Sequence, residues 1–177
     1  GIKYLALEAS SHGIDQKRIY GIPVLAAALT NITHEHLDYH GSFENYFNTK
    51  LQLFSENLRS DGTAIISTDV SDIQNVKSYL TKHKRKYILV GKVGDLDITS
   101  CDSNISGQKI TFTYNAKRYE FSAEILGSFQ ASNILIAALL AMSSSLKLDD
   151  IVQVLHKLKP VPGRLERFTK NEHKYHI

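Results

Sequence analysis

The fold prediction starts from the segment TNITHEHLDYHGSFENYFNTKLQLF, residues 30–54. This segment starts where an apolar run over Val24–Leu29 ends, and that run is typical of a buried strand that reaches the edge of a sheet. Ionisable side chains then crowd together before Gly41 and Ser42, where the sequence changes to a helical pattern. A strand that leads through a polar loop into a helix is the repeating unit of open α/β folds.

The helix predicted over residues 43–58 has its apolar residues on one face, and Lys50 falls on that face. A buried amine must extend to solvent, pair with an anion, lose its proton or be chemically modified. A lysine whose alkyl stem covers the core is the commoner explanation. A functional role gains support because Glu35 and His36 lie just upstream, at the carboxyl end of a strand, where open α/β sheets bind ligands.

The rest of the sequence predicts further strands and helices around this segment. Strands are predicted over residues 3–7, 63–67 and 87–90, with a turn at Asp61-Gly62, and residues 69–72 supply N-cap candidates for a helix to about residue 82. Three β-type runs over residues 97–105, 109–114 and 118–125 follow, joined by hairpin turns. A buried helix after Gly127-Ser128 and an amphipathic helix capped by Asp149 or Asp150 complete the pattern. We therefore predict an α/β fold with a mostly parallel sheet, flanked by helices, and a small antiparallel β subdomain.

Composition describes a globular chain of about one domain. The 177 residues are 42% hydrophobic and 22% charged, and the net charge of +3 is too small to argue for a nucleic-acid partner. The single cysteine, Cys101, excludes a disulfide framework and fits a reducing compartment such as the cytoplasm. The longest apolar run, residues 134–142, is about half as long as a membrane span, so we expect no membrane partner.

Several polar residues near the predicted strand ends are candidates for chemistry. Glu8 follows the first predicted strand, where a carboxylate can hold a hard cation such as Mg²⁺ or, equally, pair with a lysine or cap a turn. Ser10 is compatible with turn hydrogen bonds and with substrate contacts. His36 and His40 have the spacing of zinc ligands on a helix, but no helical pattern precedes residue 43. The chain contains no phosphate loop of the G-x-x-x-x-G-K-[ST] kind, so a nucleotide would be held without it or with one that precedes Gly1.

Four motifs resemble the Mur ligase family, and especially its MurE-type branch. They are EASSHGIDQ over residues 8–16, TNITHEHLDYHG over residues 30–41 followed by Thr49-Lys50, GSFQASN over residues 127–133, and PGRLE over residues 162–166. The motifs occur in order along almost the whole chain. The resemblance implies that residues 1–168 are the central, ATP-binding domain without its phosphate-loop part, and that residues 169–177 start a linker to a C-terminal domain.

The resemblance implies an ATP-dependent ligase of peptidoglycan synthesis. This enzyme would add the third amino acid, either diaminopimelate or lysine, to UDP-N-acetylmuramoyl-L-Ala-D-Glu, and our interpretation is meso-diaminopimelate. A substrate carboxylate would take the γ-phosphoryl group of ATP, and the amine of the amino acid would attack the acyl phosphate. The isolated chain is expected to be inactive, because the uridine-nucleotide domain and the amino-acid domain of the family would lie outside it.

The resemblance also implies roles for individual residues. Glu8 and His36 match ligands of Mg²⁺, and Lys50 matches a lysine that the family carbamoylates with CO₂, which would make it an anionic metal ligand. Glu35 matches an acidic residue near the metal ions, and Asn31 is placed to approach phosphate or acyl oxygens. The remaining matches are Ser10, Gln16 and Arg18 for the muramoyl peptide, and Asn133, Arg164 and Gln130 for ATP, although Gln130 stands where the family usually has asparagine.

Two alternatives remain open from the sequence. Another ligase of the same superfamily, such as a folylpolyglutamate synthetase, would share the fold, but residues 10–13 and 39–41 favour the muropeptide branch. A split or decayed remnant that acts as a non-catalytic binding module would explain the lack of a phosphate loop. The metal-site residues are all still present, however, and this favours the ligase.

Overall fold

A continuous six-stranded sheet organises the part of the chain that the computed structural model describes, which is residues 1–161 and the backbone of Arg167–Lys170 and His173–His176. The last two segments pair as an antiparallel ribbon of their own. In the main sheet, four parallel strands are followed by two strands that add antiparallel pairs. This confirms the predicted α/β fold, and the antiparallel part shares one sheet with the parallel part. The strands are β1 (Val24–Leu29), β2 (Leu58–Ser67), β3 (Lys86–Gly91), β4 (Leu96–Asn104), β5 (Gly107–Tyr114) and β6 (Lys117–Ala123).

Helices cover both faces of this sheet. One core, which includes Ile66 and Leu80, lies between the sheet and two of the helices, and a second core around Ile65 and Leu135 lies on the opposite face. Neighbouring residues of a strand point to opposite faces, so Ile65 and Ile66 belong to different cores. The helices are α1 (Ser11–Asp15), α2 (Leu37–His40), α3 (Phe43–Gln52), α4 (Ile73–Lys82), α5 (Phe129–Met142) and α6 (Leu148–Val154).

Helix α3 forms where the sequence predicts it and buries the predicted face. The hydroxyl of Ser42 accepts a hydrogen bond from the backbone N–H of Asn45 (3.1 Å) and so caps the helix. Tyr46 and Leu51 are buried in the core below it. These contacts fix the rotation of the helix and therefore the direction in which Lys50 points.

The end of α3 differs from a plain α-helix. The α-helical part stops at Gln52, and one π-helical turn, Leu53–Asn57, leads directly into β2. The carbonyl of Ser55 in this wide turn accepts a hydrogen bond from Arg85 Nη2 (2.9 Å), and its hydroxyl accepts one from Tyr79 (2.8 Å). Side chains from α4 and the loop after it therefore hold the wide turn in place.

Strand β2 starts earlier than predicted and contains the expected turn at Asp61-Gly62 as a bulge. Leu58 pairs with Val24, whereas the next pair joins Thr63 to Ala26, so that four residues of β2 stand opposite one residue of β1. A Cβ on Gly62 would come within 2.8 Å of the Leu25 carbonyl, which explains why glycine suits this position. The structure thus has one long bulged strand where the sequence predicted a turn followed by a short strand.

The strand predicted over residues 3–7 does not form. Residues 1–10 belong to no helix or strand, and Ile2, Tyr4 and Leu5 are 88%, 69% and 74% exposed. A strand forms when its backbone groups hydrogen-bond to a neighbouring strand. Residues 3–7 pair with no strand of the described sheet, and β1 therefore remains an edge strand. The prediction from apolar content was therefore wrong.

The two C-terminal helices were predicted with one error. Helix α5 starts directly after Gly127-Ser128 and is largely buried, as predicted. No helix of the described residues, α5 included, is long and apolar enough to span a membrane. Lys147 occupies the N-cap of α6, and Asp149 and Asp150 lie in its first turn, so they do not cap it. Carboxylates in a first turn are stabilised by the helix dipole, and Asp149 also forms an ion pair with Lys117.

Candidate functional site

The loop over residues 30–36 leaves the carboxyl end of β1 and presents three predicted site residues, Asn31, Glu35 and His36, all of which are exposed. Buried Ile32 anchors the loop to the core. The hydroxyl of Thr33 donates to Glu35 Oε1 (2.8 Å) and fixes that carboxylate. His36 has a left-handed backbone conformation (φ 57°) and starts α2, a four-residue helix that the sequence pattern did not predict.

Lys50 lies half-buried at this loop, among residues that the sequence grouped with it. Its Nζ is 5.4 Å from the centre of the Tyr46 ring, and the His36 ring centre lies 6.2 Å from the same ring. Burial lowers the pKa of Lys50, and the negative charges of Glu35 and Glu8 act in the opposite direction. The structure therefore brings Lys50, Glu8 and Glu35 into one electrostatic cluster, and Lys50 and His36 both lie near the Tyr46 ring.

Aromatic rings pack α1 against α2 next to this cluster. The ring of His12 lies 4.9 Å from that of His36 and 4.1 Å from that of Tyr39. His40 is buried (8% exposed) with its ring 5.5 Å from Tyr46, and its Nε2 makes no hydrogen bond with the described residues. Burial lowers the pKa of His40, which favours the neutral imidazole.

The side chains at this edge of the sheet include atom types that bind divalent cations. Carboxylate oxygens such as those of Glu8 are the ligands that hard cations prefer, and imidazoles such as that of His36 bind several divalent ions. Within the described residues, no three His, Cys, Asp or Glu side chains come together as a metal site. A metal ion held by Glu8 and His36 would thus need a further ligand, and Lys50 in its charged form would oppose it.

The three residues predicted to bind the muramoyl peptide lie together on and around α1. Ser10 caps the helix through its hydroxyl, which accepts a backbone N–H at 3.1 Å. Arg18 Nη2 donates to Gln16 Oε1 (2.6 Å), and Gln16 Nε2 donates to the Tyr39 hydroxyl (3.2 Å), which in turn donates to Asp15 Oδ2 (2.8 Å). This chain of hydrogen bonds joins Gln16 and Arg18 to α2, the helix whose N-cap is His36.

Two of the three residues predicted to bind ATP lie in the first turns of α5, where Asn133 Nδ2 donates to Gln130 Oε1 (3.1 Å). The Ser132 hydroxyl between them donates to Asp69 Oδ2 (3.4 Å). Asp69 follows the carboxyl end of β2, which is the parallel neighbour of β1, so α5 starts at the same edge of the sheet as the Lys50 cluster. Arg164 lies outside the described residues.

Sequence reasoning did not identify Tyr46, His12 and Tyr39 as site residues. Tyr46 precedes Lys50 by four residues, a spacing that places both side chains on one helix face, so this signal was available. The contact between His12 and Tyr39 depends on the tertiary packing of α1 against α2, and no local pattern reveals it.

The sequence matches a family model and several named ligases. The family model of the Mur ligase middle domain matches residues 1–141. The UDP-N-acetylmuramoyl-L-alanyl-D-glutamate–2,6-diaminopimelate ligase of Rickettsia montanensis is 47% identical over 167 residues, which cover 94% of this chain and 35% of that protein. The chain therefore spans about a third of the length of the curated relatives that it matches.

Structural comparison agrees with the sequence matches. A solved structure of a UDP-N-acetylmuramoyl-L-alanyl-D-glutamate–2,6-diaminopimelate ligase superposes with a TM-score of 0.83 at 26% identity, covering 96% of this chain and 35% of that one. An FPGS–AMPPCP complex gives a TM-score of 0.68 at 16% identity, covering 85% of this chain and 40% of that one. The second likeness shows the fold alone, so it does not favour the folylpolyglutamate synthetase alternative.

Proposed function

Because the chain belongs to the Mur ligase family, we propose that it is the ATP-binding middle part of a ligase that joins 2,6-diaminopimelate to UDP-N-acetylmuramoyl-L-alanyl-D-glutamate. The names of the relatives support this reaction. Since the chain spans about a third of their length, the complete active site would include the remaining parts of a longer protein. The free thiol of Cys101 fits the reducing cytoplasm, where we place the reaction.

The proposed reaction brings two anions together. A substrate carboxylate takes the γ-phosphoryl group of ATP, the amine of diaminopimelate attacks the resulting acyl phosphate, and phosphate leaves as the amide forms. Positive charge and hydrogen-bond donors near the reacting oxygens would offset the repulsion between carboxylate and phosphate. The exposed amide of Asn31, at the carboxyl end of β1, is available to donate to phosphate or acyl oxygens.

The observation that supports the proposal most is the environment of Lys50. Its amine is half-buried beside Tyr46, near two carboxylates, and burial lowers its pKa. A lower pKa increases the fraction of neutral amine, which is the form that reacts with CO₂ to give a carbamate. We propose that Lys50 is carbamoylated, so that a cation becomes an anion on the same side chain.

Carbamoylation of Lys50 would complete a magnesium site at this edge. Glu8, His36 and the carbamate of Lys50 would hold Mg²⁺, which neutralises phosphate charge when it is bound. Glu35 would lie next to these ligands with its carboxylate oriented by Thr33. The charge conflict between an ammonium group and a metal ion disappears in this arrangement.

The other predicted residues would hold the two large substrates. Ser10, Gln16 and Arg18 would bind the muramoyl peptide from α1, since they supply a hydroxyl, an amide and a guanidinium on one surface. Gln130 and Asn133 would bind the adenine base, because side-chain amides offer both the donor and the acceptor that its edge requires. Arg164 is proposed as a further nucleotide contact from its motif alone.

A chimaeric enzyme tests the proposed function. This chain replaces the matching segment of the Rickettsia montanensis ligase, and ADP release is measured with ATP, the UDP-muramoyl dipeptide and diaminopimelate. We expect release only when all three substrates are present, and none from the 177-residue chain alone. A chimaera that has the circular-dichroism spectrum and cooperative unfolding of a folded protein but releases no ADP would overturn the proposal in favour of a non-catalytic binding module.

A further inference from the structure

The antiparallel part of the sheet contains a buried amide that contacts the loop before α5. Gln108 lies on β5 and is only 3% exposed. Its Nε2 donates to the carbonyls of Ile125 and Gly127, both at 2.9 Å, and its Oε1 accepts a hydrogen bond from the Cys101 thiol at 2.9 Å. Both amide hydrogens and the amide oxygen are therefore used.

This network fixes the orientation of the Gln108 amide. Two carbonyl oxygens need N–H donors, so the nitrogen must face the loop, and the thiol of Cys101 then lies where the oxygen needs a donor. Reversing the amide would place its oxygen against two other oxygens. A buried amide with all its hydrogen bonds made resists displacement, because breaking them leaves polar groups without partners in a dry environment.

The carbonyl of Gly127 connects this amide to the first turn of α5. Gly127 has a positive φ of 95°, and its carbonyl also accepts the backbone N–H of Gln130 (2.9 Å). Ser128, at the N-cap, makes no side-chain capping hydrogen bond. Gln108 thus holds the residue before the N-cap from a strand of the sheet by donating to the Gly127 carbonyl, whereas an N-cap side chain would accept a hydrogen bond from a backbone N–H of the first turn.

We infer that Gln108 is a positioning residue for the nucleotide site: by fixing the Gly127 carbonyl, it places Gln130 and, through the hydrogen bond between them, Asn133 for contact with the base. The inference rests on the proposed function for its ligand. It assigns the antiparallel strands a part in nucleotide binding, although they lie beyond the parallel strands that form the candidate site.

The test compares two substitutions on the same strand. Q108M keeps the length and approximate volume of the side chain but removes both N–H donors. The control T111V removes a buried hydroxyl from the same strand. In the 177-residue chain, amide hydrogen exchange is measured residue by residue, and in the chimaera the Kd for ADP is measured by calorimetry.

We expect Q108M to speed exchange at residues 127–133 and to raise the Kd for ADP about tenfold, whereas T111V changes the Kd less than about twofold. Unchanged exchange at residues 127–133 in Q108M overturns the inference, and so does faster exchange without weaker ADP binding. A third outcome separates the two ideas: exchange is faster in Q108M, but the unsubstituted chimaera does not bind ADP. This outcome would show that Gln108 positions the start of α5, and it would overturn the proposal that α5 contacts a nucleotide.

Discussion

The sheet edge at the carboxyl end of β1 and the antiparallel strands β5 and β6 differ in whether their polar groups have hydrogen-bond partners within the chain. At the edge, Glu8 and His36 are exposed, and the buried His40 has a ring nitrogen without a partner among the described residues. In the antiparallel strands, the buried amide of Gln108 has every hydrogen bond made. Polar groups left free at one edge are available to ligands, whereas polar groups satisfied internally add rigidity.

The largest expected effect is on the rate of ADP release when the amine of Lys50 is removed. In the chimaera, Lys50→Ala should lower the rate of ADP release by about a thousandfold or more, because the anion proposed to stabilise the metal site is lost. Short carboxylic acids should restore part of the rate by occupying the vacated space. The exposed Lys92→Ala serves as the control and should retain full activity. Full activity in Lys50→Ala would remove this residue from the mechanism.

A core substitution in the antiparallel strands should lower the free energy of unfolding, because these strands contribute to the core of the fold. Phe112 is fully buried, so Phe112→Ala should lower the free energy of unfolding by about 3–5 kcal/mol. At the edge, the exposed Asn31→Ala should change it by less than about 0.5 kcal/mol. Urea denaturation of the 177-residue chain measures both values. Comparable losses in the two variants would contradict the division between edge and scaffold.

The lowered pKa of Lys50 predicts a pH dependence of stability. Between the folded-state pKa and the ordinary value of 10.5, the unfolded chain binds more protons than the folded chain. The contribution of Lys50 to the free energy of unfolding should therefore be lowest below its folded-state pKa and rise as the pH increases towards 10.5. Urea denaturation between neutral pH and this value should give a smaller rise for Lys50→Met than for the parent, and an unaltered rise for Lys92→Met. Parallel curves for Lys50→Met and the parent would exclude the shift.

The smallest expected effect concerns the Cys101 thiol that donates to Gln108. Cys101→Ala removes the donor to Gln108 Oε1 and should lower the free energy of unfolding by about 0.5–1.5 kcal/mol. Ser122→Ala, on the exposed side of β6, should leave it unchanged in the same denaturation experiment. Equal values for the two variants would show that the amide is held without the thiol.

Local signals account for the parts of the fold that the sequence predicted. The apolar run of β1 and the side-chain cap of Asp72 on α4 both involve residues close together in the chain, and both elements form where expected. Residues 3–7 have equally strand-like composition and remain unpaired, because strand formation depends on a neighbouring edge elsewhere in the structure.

The same distinction applies to the site. The unusual placement of Lys50 followed from helical periodicity, and its half-burial with a lowered pKa bears this out. The resemblance grouped Glu8 with Lys50 as a metal ligand, and its charge does act on Lys50 even though the strand predicted before Glu8 does not form. The contact of His12 with Tyr39 and the hydrogen bonds from Gln108 to the loop before α5 join distant segments, and only the folded chain reveals them.

The π-helical turn Leu53–Asn57 limits how the length of this region can vary among related sequences. An α-helix rotates about 100° per residue, so deleting one residue between Phe43 and Lys50 would swing the amine away from Glu8 and Glu35. A π turn accommodates one surplus residue, so the same deletion within it would only tighten the turn and leave the direction of Lys50 intact. Length differences in this family should therefore accumulate after Gln52, and the helix before it should keep a constant length.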